Sequence, residues 1–214
     1  MRKKWKQHLK KGWNFFWHDD SLTSWVVNVV IAFLVIRFIL YPLLGIVLGT
    51  GFPIVAVISE SMEHGLHDGK LCGSYYPDFK ESFDNYWEAC GGWYEARGIT
   101  KEQFNNFSFP NGFNKGDVII LWRASQNNIE VGDILIFAGD RPQPIIHRAI
   151  NVKNEEGKSS YQTKGDHNSD MISGEQNIDE GRIYGKGLFR VPYLGWVKIL
   201  FVELVRPLGW NIQR

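Results

Sequence analysis

The sequence predicts a mainly β domain carried behind a single N-terminal transmembrane helix. Three observations predict it. Residues Leu22 to Tyr41 form an apolar run in which Arg37 is the only charged residue. From Lys115 onward, apolar residues come in short β-branched runs, several of them opened by Gly-Asp turns. Helical periodicity is scarce over the same stretch.

The apolar run reaches the length of about 20 residues that a bilayer requires, and Arg37 lies near its far end, where a long cation snorkels to the interface. Pro42, Gly45, Gly49, Gly51 and Pro53 argue against a straight helix continuing to Ile58. The expected segments are therefore a basic N-terminus over 1–21, an anchor over 22–41 and a membrane-proximal connector over 42–58. The run is longer than the apolar part of a cleaved signal, and no small-x-small site ends it, so it reads as a retained anchor. Arg2, Lys3, Lys4, Lys6, Lys10 and Lys11 precede it, and no Lys or Arg lies between Arg37 and Lys70. That asymmetry puts the N-terminus in the cytoplasm and the rest of the chain outside. A net charge of +1 excludes the basic excess of a nucleic-acid binder, and 14% aromatics with nine Trp suits a protein at a membrane–water interface.

The extracytoplasmic part is expected over 59–190. Within it, 71–113 reads as an aromatic insertion, with a short helix at Thr100–Asn105 opened by a Thr-Lys-Glu-Gln capping box. Asn106-Phe107-Ser108 is a glycosylation sequon. Strands are expected at Val118–Trp122, Ile134–Phe137 and Pro144–Val152, then from Tyr161 and over Arg182–Arg190. Residues 154–158 form a polar turn, 165–168 a loop, and the chain up to Glu180 an irregular acidic segment. The apolar tail, 191–214, carries Lys198, Glu203 and Arg206 and reads as an interfacial helix; a second span, or a last strand with a core-packing helix, is the alternative. Cys72 and Cys90 are too few for a four-ligand zinc site and can pair if the domain faces an oxidising compartment.

The chemistry concentrates in Val57-Ile58-Ser59-Glu60-Ser61-Met62-Glu63-His64-Gly65. A serine nucleophile needs a base to take its proton and a carboxylate to orient that base. The chain supplies Ser61, then His147 inside a strand-like run, then Asp166 in Gly165-Asp166-His167-Asn168. No lysine lies between Lys115 and Lys153, so a Ser–Lys dyad has no base on that strand. Taken singly, each of these residues has an ordinary reading: turn residues for Ser61 and the Gly-Asp loop, a satisfied strand histidine for His147, core packing or membrane insertion for Met62. A rival cluster, His64-Gly65-Leu66-His67-Asp68, has metal-ligand residue types, but its glycines disfavour the helix that would align both rings.

Together these boxes resemble type I signal peptidases of the archaeal and endoplasmic-reticulum subclass, in which His replaces a lysine base. Val57–Glu63 is similar to their Ser-x-Ser-Met box, Gly132–Phe137 to their Gly-Asp-Ile strand, Ile146-His147-Arg148 to their His-Arg element and Thr163–Asn168 to their Lys-Gly-Asp-Asn-Asn box, all in the family's order behind an anchor. The resemblance implies a signal-peptidase-like coiled β-sheet, Ser61 as nucleophile, Ser59 and the Ser61 N–H as oxyanion hole, and His147 as base. It implies Asp166 or Asp170 as the orienting acid, because position 172, where the family's second aspartate falls, is Ile. His64 and His167 also depart from the pattern. The implied activity is serine endopeptidase cleavage of signal peptides at the cell membrane, by a single-pass protein with no cofactor or metal. The implied partners are signal-peptide-bearing preproteins, the lipid bilayer and the secretion translocon. The alternative is a non-catalytic membrane-tethered β module that binds a partner through the aromatic insertion.

Overall fold

The computed structural model describes residues 13–205, apart from 14, 141 and 156. The basic residues Arg2–Lys11 and the tail residues Arg206 and Pro207 lie outside the described residues. The chain divides into two compact units, Met1–Val47 and Leu48–Arg214.

The first unit is dominated by one helix, 27 residues long from Leu22 to Leu48 and apolar enough to span a membrane. It begins as α1 (Leu22–Val35), where the Ser21 hydroxyl accepts from the Ser24 N–H, a side-chain cap for an otherwise orphaned donor. A π-helical turn follows at Ile36–Leu40, and α2 (Tyr41–Leu48) completes it. The helix thus runs beyond the 22–41 expected for the anchor, because Pro42 does not end it. Proline lacks an N–H and its ring crowds the carbonyl four residues back. The wider turn immediately before it, with the Tyr41 N–H reaching the Ile36 carbonyl, absorbs that misfit.

In the second unit, seven strands form one curled antiparallel sheet in the order β1-β4-β9-β5-β6-β7-β8. They are β1 (Ile54–Ala56), β4 (Val118–Trp122), β5 (Ile134–Phe137), β6 (Ile145–Glu155), β7 (Lys158–Lys164), β8 (Ile178–Asp179) and β9 (Ile183–Val191). The expected strands are all present, and the expected coiled sheet with them. Register shifts at Ile120/Leu121, Ile136/Phe137 and Ala149/Asn151 bend the strands and tighten their twist, which curls the sheet. Strand β5 shows why an unbroken apolar run is required there. Ile134 and Ile136 pack with Val57, Met62, Phe113, Ile119 and Leu121, while Leu135 and Phe137 enter a second core with Ile129, Ala149, Tyr161 and Ile178. Both faces of that strand are buried.

Residues 71–113 fold into a cap with its own core. A two-stranded hairpin, β2 (Lys70–Leu71) and β3 (Ser74–Tyr75), precedes α3 (Phe83–Glu95) and α4 (Lys101–Asn105). The capping box at Thr100 and Gln103 is formed as expected. Helix α3 escapes the sequence reading because Gly91 and Gly92 interrupt it. It forms because Ser82 caps it and because Tyr86, Trp87, Cys90 and Tyr94 line one face that meets Phe104 and Ile150. Gly91 is required there, since a Cβ would stand 2.5 Å from the Trp87 ring. Cys72 and Cys90 are joined in a disulfide. The tail forms α5 (Trp196–Val205), with Val202 buried and Val197, Leu200, Phe201 and Leu204 exposed.

Candidate active site

The loop after β1 carries Ser59 and Ser61, and the surrounding structure holds its backbone from two sides. The Ser61 carbonyl accepts from the His167 N–H at 2.9 Å, and the Met62 carbonyl from the Phe113 N–H at 3.1 Å. Lys115 adds its N–H to Glu63 and its ammonium to Glu60, each at about hydrogen-bond length (2.8 and 2.7 Å). Met62 is 1% exposed and sits in the core against Ile134 and Ile136. It anchors the loop from below, so the membrane-insertion reading of this side chain does not hold. Ser61 is half-buried and Ser59 exposed, with their hydroxyl oxygens 3.2 Å apart.

His147 lies in β6 opposite Leu135 of β5 and is buried. Its Nδ1 is hydrogen-bonded to Oε1 of Glu175. Glu175 is completely buried and itself accepts from the Thr163 hydroxyl at 2.8 Å and from the Ile172 N–H at 2.6 Å. A carboxylate saturated with donors and facing Nδ1 selects the tautomer with the proton on Nδ1, leaving a lone pair on Nε2. That Nε2 faces the serine loop across Gly165. A Cβ on Gly165 would stand 2.7 Å from His147 Nε2 and 2.8 Å from the Ser61 carbonyl oxygen, so both groups crowd the same Cα.

This arrangement differs from the expectation that Asp166 or Asp170 orients His147. Asp166 is completely buried and receives Arg148 in bidentate fashion, Nε to Oδ1 at 2.9 Å and Nη2 to Oδ2 at 2.6 Å. Tyr94 donates to it at 3.1 Å and His64 Nε2 lies 3.0 Å away. Adjacent strand residues point to opposite faces, so His147 and Arg148 engage different acids, and Asp166 belongs to Arg148. Asp170 is exposed and takes the Trp93 indole N–H at 3.0 Å. The Gly165-Asp166-His167-Asn168 box thus supplies the acid of a buried ion pair with Arg148. The acid on His147 comes from the irregular segment, where nothing local marks Glu175 among its acidic neighbours.

Electrostatics agree with that division. Burial alone would raise the Asp166 pKa; the Arg148 guanidinium and the hydrogen bonds from His64 and Arg148 outweigh it and hold the carboxyl well below the usual range. Burial pulls His64 below the ordinary histidine value, against the attraction of Asp166, and its ring stacks on Tyr86 with centroids 3.5 Å apart. Lys164 is buried with its ammonium on the Gly165 carbonyl and over the Trp93 and Tyr94 rings; burial lowers it to about 8 against nearby Asp166, Glu175 and Asp170. The rival metal cluster does not converge: His64 serves Asp166, while His67 is exposed beside Asp68.

Two outcomes follow. Asp166 is ionised when folded at a pH where an ordinary aspartate, with a pKa of about 4, is already protonated. Its stabilisation is complete above that pKa and is lost as the pH falls through its depressed folded value. Asp166→Asn is expected to cost roughly 3–5 kcal/mol, as one half of a buried pair, and to flatten the acid limb of stability against pH. Urea unfolding across pH 2–7 checks this, and an unchanged midpoint would refute it. If Ser61 and His147 react as a nucleophile and its base, Gly165→Ala is expected to lower turnover by about 10²-fold or more by prising His147 from the serine loop, the scale of a misplacement of about 1 Å. Steady-state kinetics on the folded variant measure it, and wild-type turnover would show that the loop yields freely.

No family model matches the chain. Its sequence is similar to the signal peptidase complex catalytic subunit SEC11 of several fungi. The Yarrowia lipolytica protein is 31% identical over 103 residues, covering 45% of this chain and 59% of that protein. The Zygosaccharomyces rouxii protein is 34% identical over 104 residues, covering 45% and 62%. The Schizosaccharomyces pombe protein is 29% identical over 172 residues, covering 76% and 74%. The chain thus spans about three fifths of the first two relatives, at 59% and 62% of their lengths. By sequence, this chain is similar to signal peptidase complex catalytic subunits of fungi.

Proposed function

We propose that the protein is a membrane-anchored serine endopeptidase that cleaves signal peptides from exported preproteins, with Ser61 as nucleophile, His147 as general base and Glu175 as the acid behind it. The single observation that carries this reading is a buried histidine whose Nδ1 is committed to a carboxylate and whose Nε2 faces the Ser61 loop. In the reaction Ser61 Oγ leaves its contact with Ser59, gives its proton to Nε2 and attacks the peptide carbonyl. His147, now cationic and paired with Glu175, returns the proton to the leaving amine. Water then hydrolyses the acyl-enzyme by the same base. Ser59 Oγ and the Ser61 N–H are the donors for the oxyanion. The reading assigns no catalytic role to Asp166 or Asp170.

The domain division follows the same reading: basic cytoplasmic segment, anchor, catalytic sheet with the aromatic cap, and interfacial tail. The catalytic domain lies on the extracytoplasmic side of the cell membrane, where the basic N-terminal flank orients it and the disulfide is chemically stable. Preproteins inserted in the same bilayer are the substrates, with the secretion translocon as the neighbour that delivers them. A membrane-inserted precursor bearing an Ala-x-Ala site tests the proposal in vesicles holding the full chain. The expected product begins at the residue after the second Ala, by N-terminal sequencing; intact precursor, or a cut elsewhere, would overturn the assignment.

A further inference from the structure

The loop that carries Gly165, Asp166 and His167 is gripped on the side away from the serine by the cap. The Cys72 N–H donates to the His167 carbonyl at 3.1 Å, and the Tyr86 hydroxyl donates to the Asp166 carbonyl at 3.0 Å. Gly73 packs so closely on Ser169 that a Cβ would stand 2.8 Å from the Ser169 Cβ. On its other side the same loop donates the His167 N–H to the Ser61 carbonyl and brings Gly165 against His147 Nε2. It is therefore the layer between the cap and the reactive groups.

The two cap elements that hold it are the tip of the β2–β3 hairpin and helix α3, and the Cys72–Cys90 disulfide joins them. Cys72 is at the hairpin tip in a left-handed conformation, φ 49°, followed by Gly73 at φ 82°. Positive φ at both central residues is the geometry of the tightest hairpin turns and is costly for a non-glycine residue. A four-residue-register hairpin of two-residue strands is marginal in water by itself. What retains this one is its Leu71 in the cap core and the covalent link from Cys72 to α3, one helical turn from Tyr86.

We infer that the Cys72–Cys90 disulfide is a positioning device for the nucleophile: it keeps the hairpin tip on the 165–169 loop, which lies against both the Ser61 carbonyl and His147 Nε2. The inference rests on the peptidase reading for its kinetic consequence and on geometry alone for its mechanical one. Breaking the link frees the hairpin tip, releases the His167 carbonyl, and lets the loop under Ser61 drift while β5 and β6 stay paired.

The experiment compares the full chain in detergent micelles before and after reduction by a dithiol, and after reoxidation, with a Cys72→Ser, Cys90→Ser double variant alongside. Two readouts are taken. Kinetics on an Ala-x-Ala peptide, with active sites counted from the acyl-enzyme burst, should show kcat per active site falling about 10²-fold and KM within about twofold. Reoxidation should restore the wild type, and the double variant should match the reduced enzyme and ignore both reagents. Amide hydrogen exchange should show Cys72 and His167 losing protection while Ile136 and Ile146 keep theirs. Equal kcat in the oxidised and reduced enzyme overturns the inference, as does loss of protection in β5 and β6 together with the hairpin, which is global unfolding. If the oxidised enzyme does not cleave the peptide at all, the peptidase reading fails, and hydrogen exchange alone still decides whether the disulfide holds the loop.

Discussion

Ser61→Ala is expected to lower kcat for an Ala-x-Ala precursor by about 10⁶-fold, the loss seen when a serine nucleophile is removed from a triad. The loop should survive the change, because its position depends on the Ser61 and Met62 carbonyls and the buried Met62 side chain, none of which uses the hydroxyl. Thermal unfolding of the variant should therefore match the wild type. Ser59→Ala is the internal comparison. If its hydroxyl stabilises the oxyanion, the loss is about 10²–10³-fold, the worth of one such donor, with KM nearly unchanged. Cleavage by the Ser61 variant at a wild-type rate would remove the serine mechanism altogether. Loss of cleavage in the Ser59 variant with cleavage retained in the Ser61 variant would make Ser59 the nucleophile, since their oxygens lie only 3.2 Å apart.

Glu175→Gln is expected to lower kcat by about 10⁴-fold, close to the cost of amidating the acid of a serine-protease triad. A carboxylate accepts the Nδ1 proton of His147; the glutamine amide can present its NH₂ instead and hold the other tautomer, with Nε2 protonated and no lone pair toward Ser61. It also lacks the charge that stabilises the imidazolium formed during attack. The Ile172 N–H, which donates to Oε2, keeps its oxygen acceptor, and the Thr163 hydroxyl, which shares Oε1 with His147, can turn to accept from the amide NH₂, so binding of substrate should change little. Stopped-flow acylation with Glu175→Gln, Asp166→Asn and Asp170→Asn side by side separates the three acids. The expected order puts the kinetic loss on Glu175, the stability loss on Asp166 and neither on Asp170. Should Asp166→Asn or Asp170→Asn abolish acylation in a folded protein while Glu175→Gln retains it, the orienting acid is one of the two that the family resemblance implies and the present assignment is wrong.

Those three carboxylates also show where sequence stops and structure begins. The anchor, the strands and the residue types of the reaction are local properties. An apolar run records transfer into a bilayer, and Gly-Asp turns ahead of β-branched runs record the period of a sheet. From these alone, Ser61 and His147 stand out, as do the strands at Val118–Trp122 and Ile134–Phe137 and the capped helix at Lys101–Asn105. Helix α3 does not, since Gly91 and Gly92 weaken the helical signal, and only the packing of Trp87 over Gly91 accounts for the first of them.

The partner of His147 is a property of three-dimensional closure. Glu175 follows it by 28 residues, in a loop whose acids all look alike in sequence. The alternation of β6 decides the pairing, by turning His147 to one face and Arg148 to the other, so that Arg148 occupies Asp166 and the histidine must find a different carboxylate. The pairing of Cys72 with Cys90, left open by two thiols in a chain, is decided in the same way, by the cap's own core bringing a hairpin tip onto a helix. Local residue types and their periods specify which groups and which strands this protein has. Which acid meets which base was left to the fold, because that depends on distances between segments far apart in the chain.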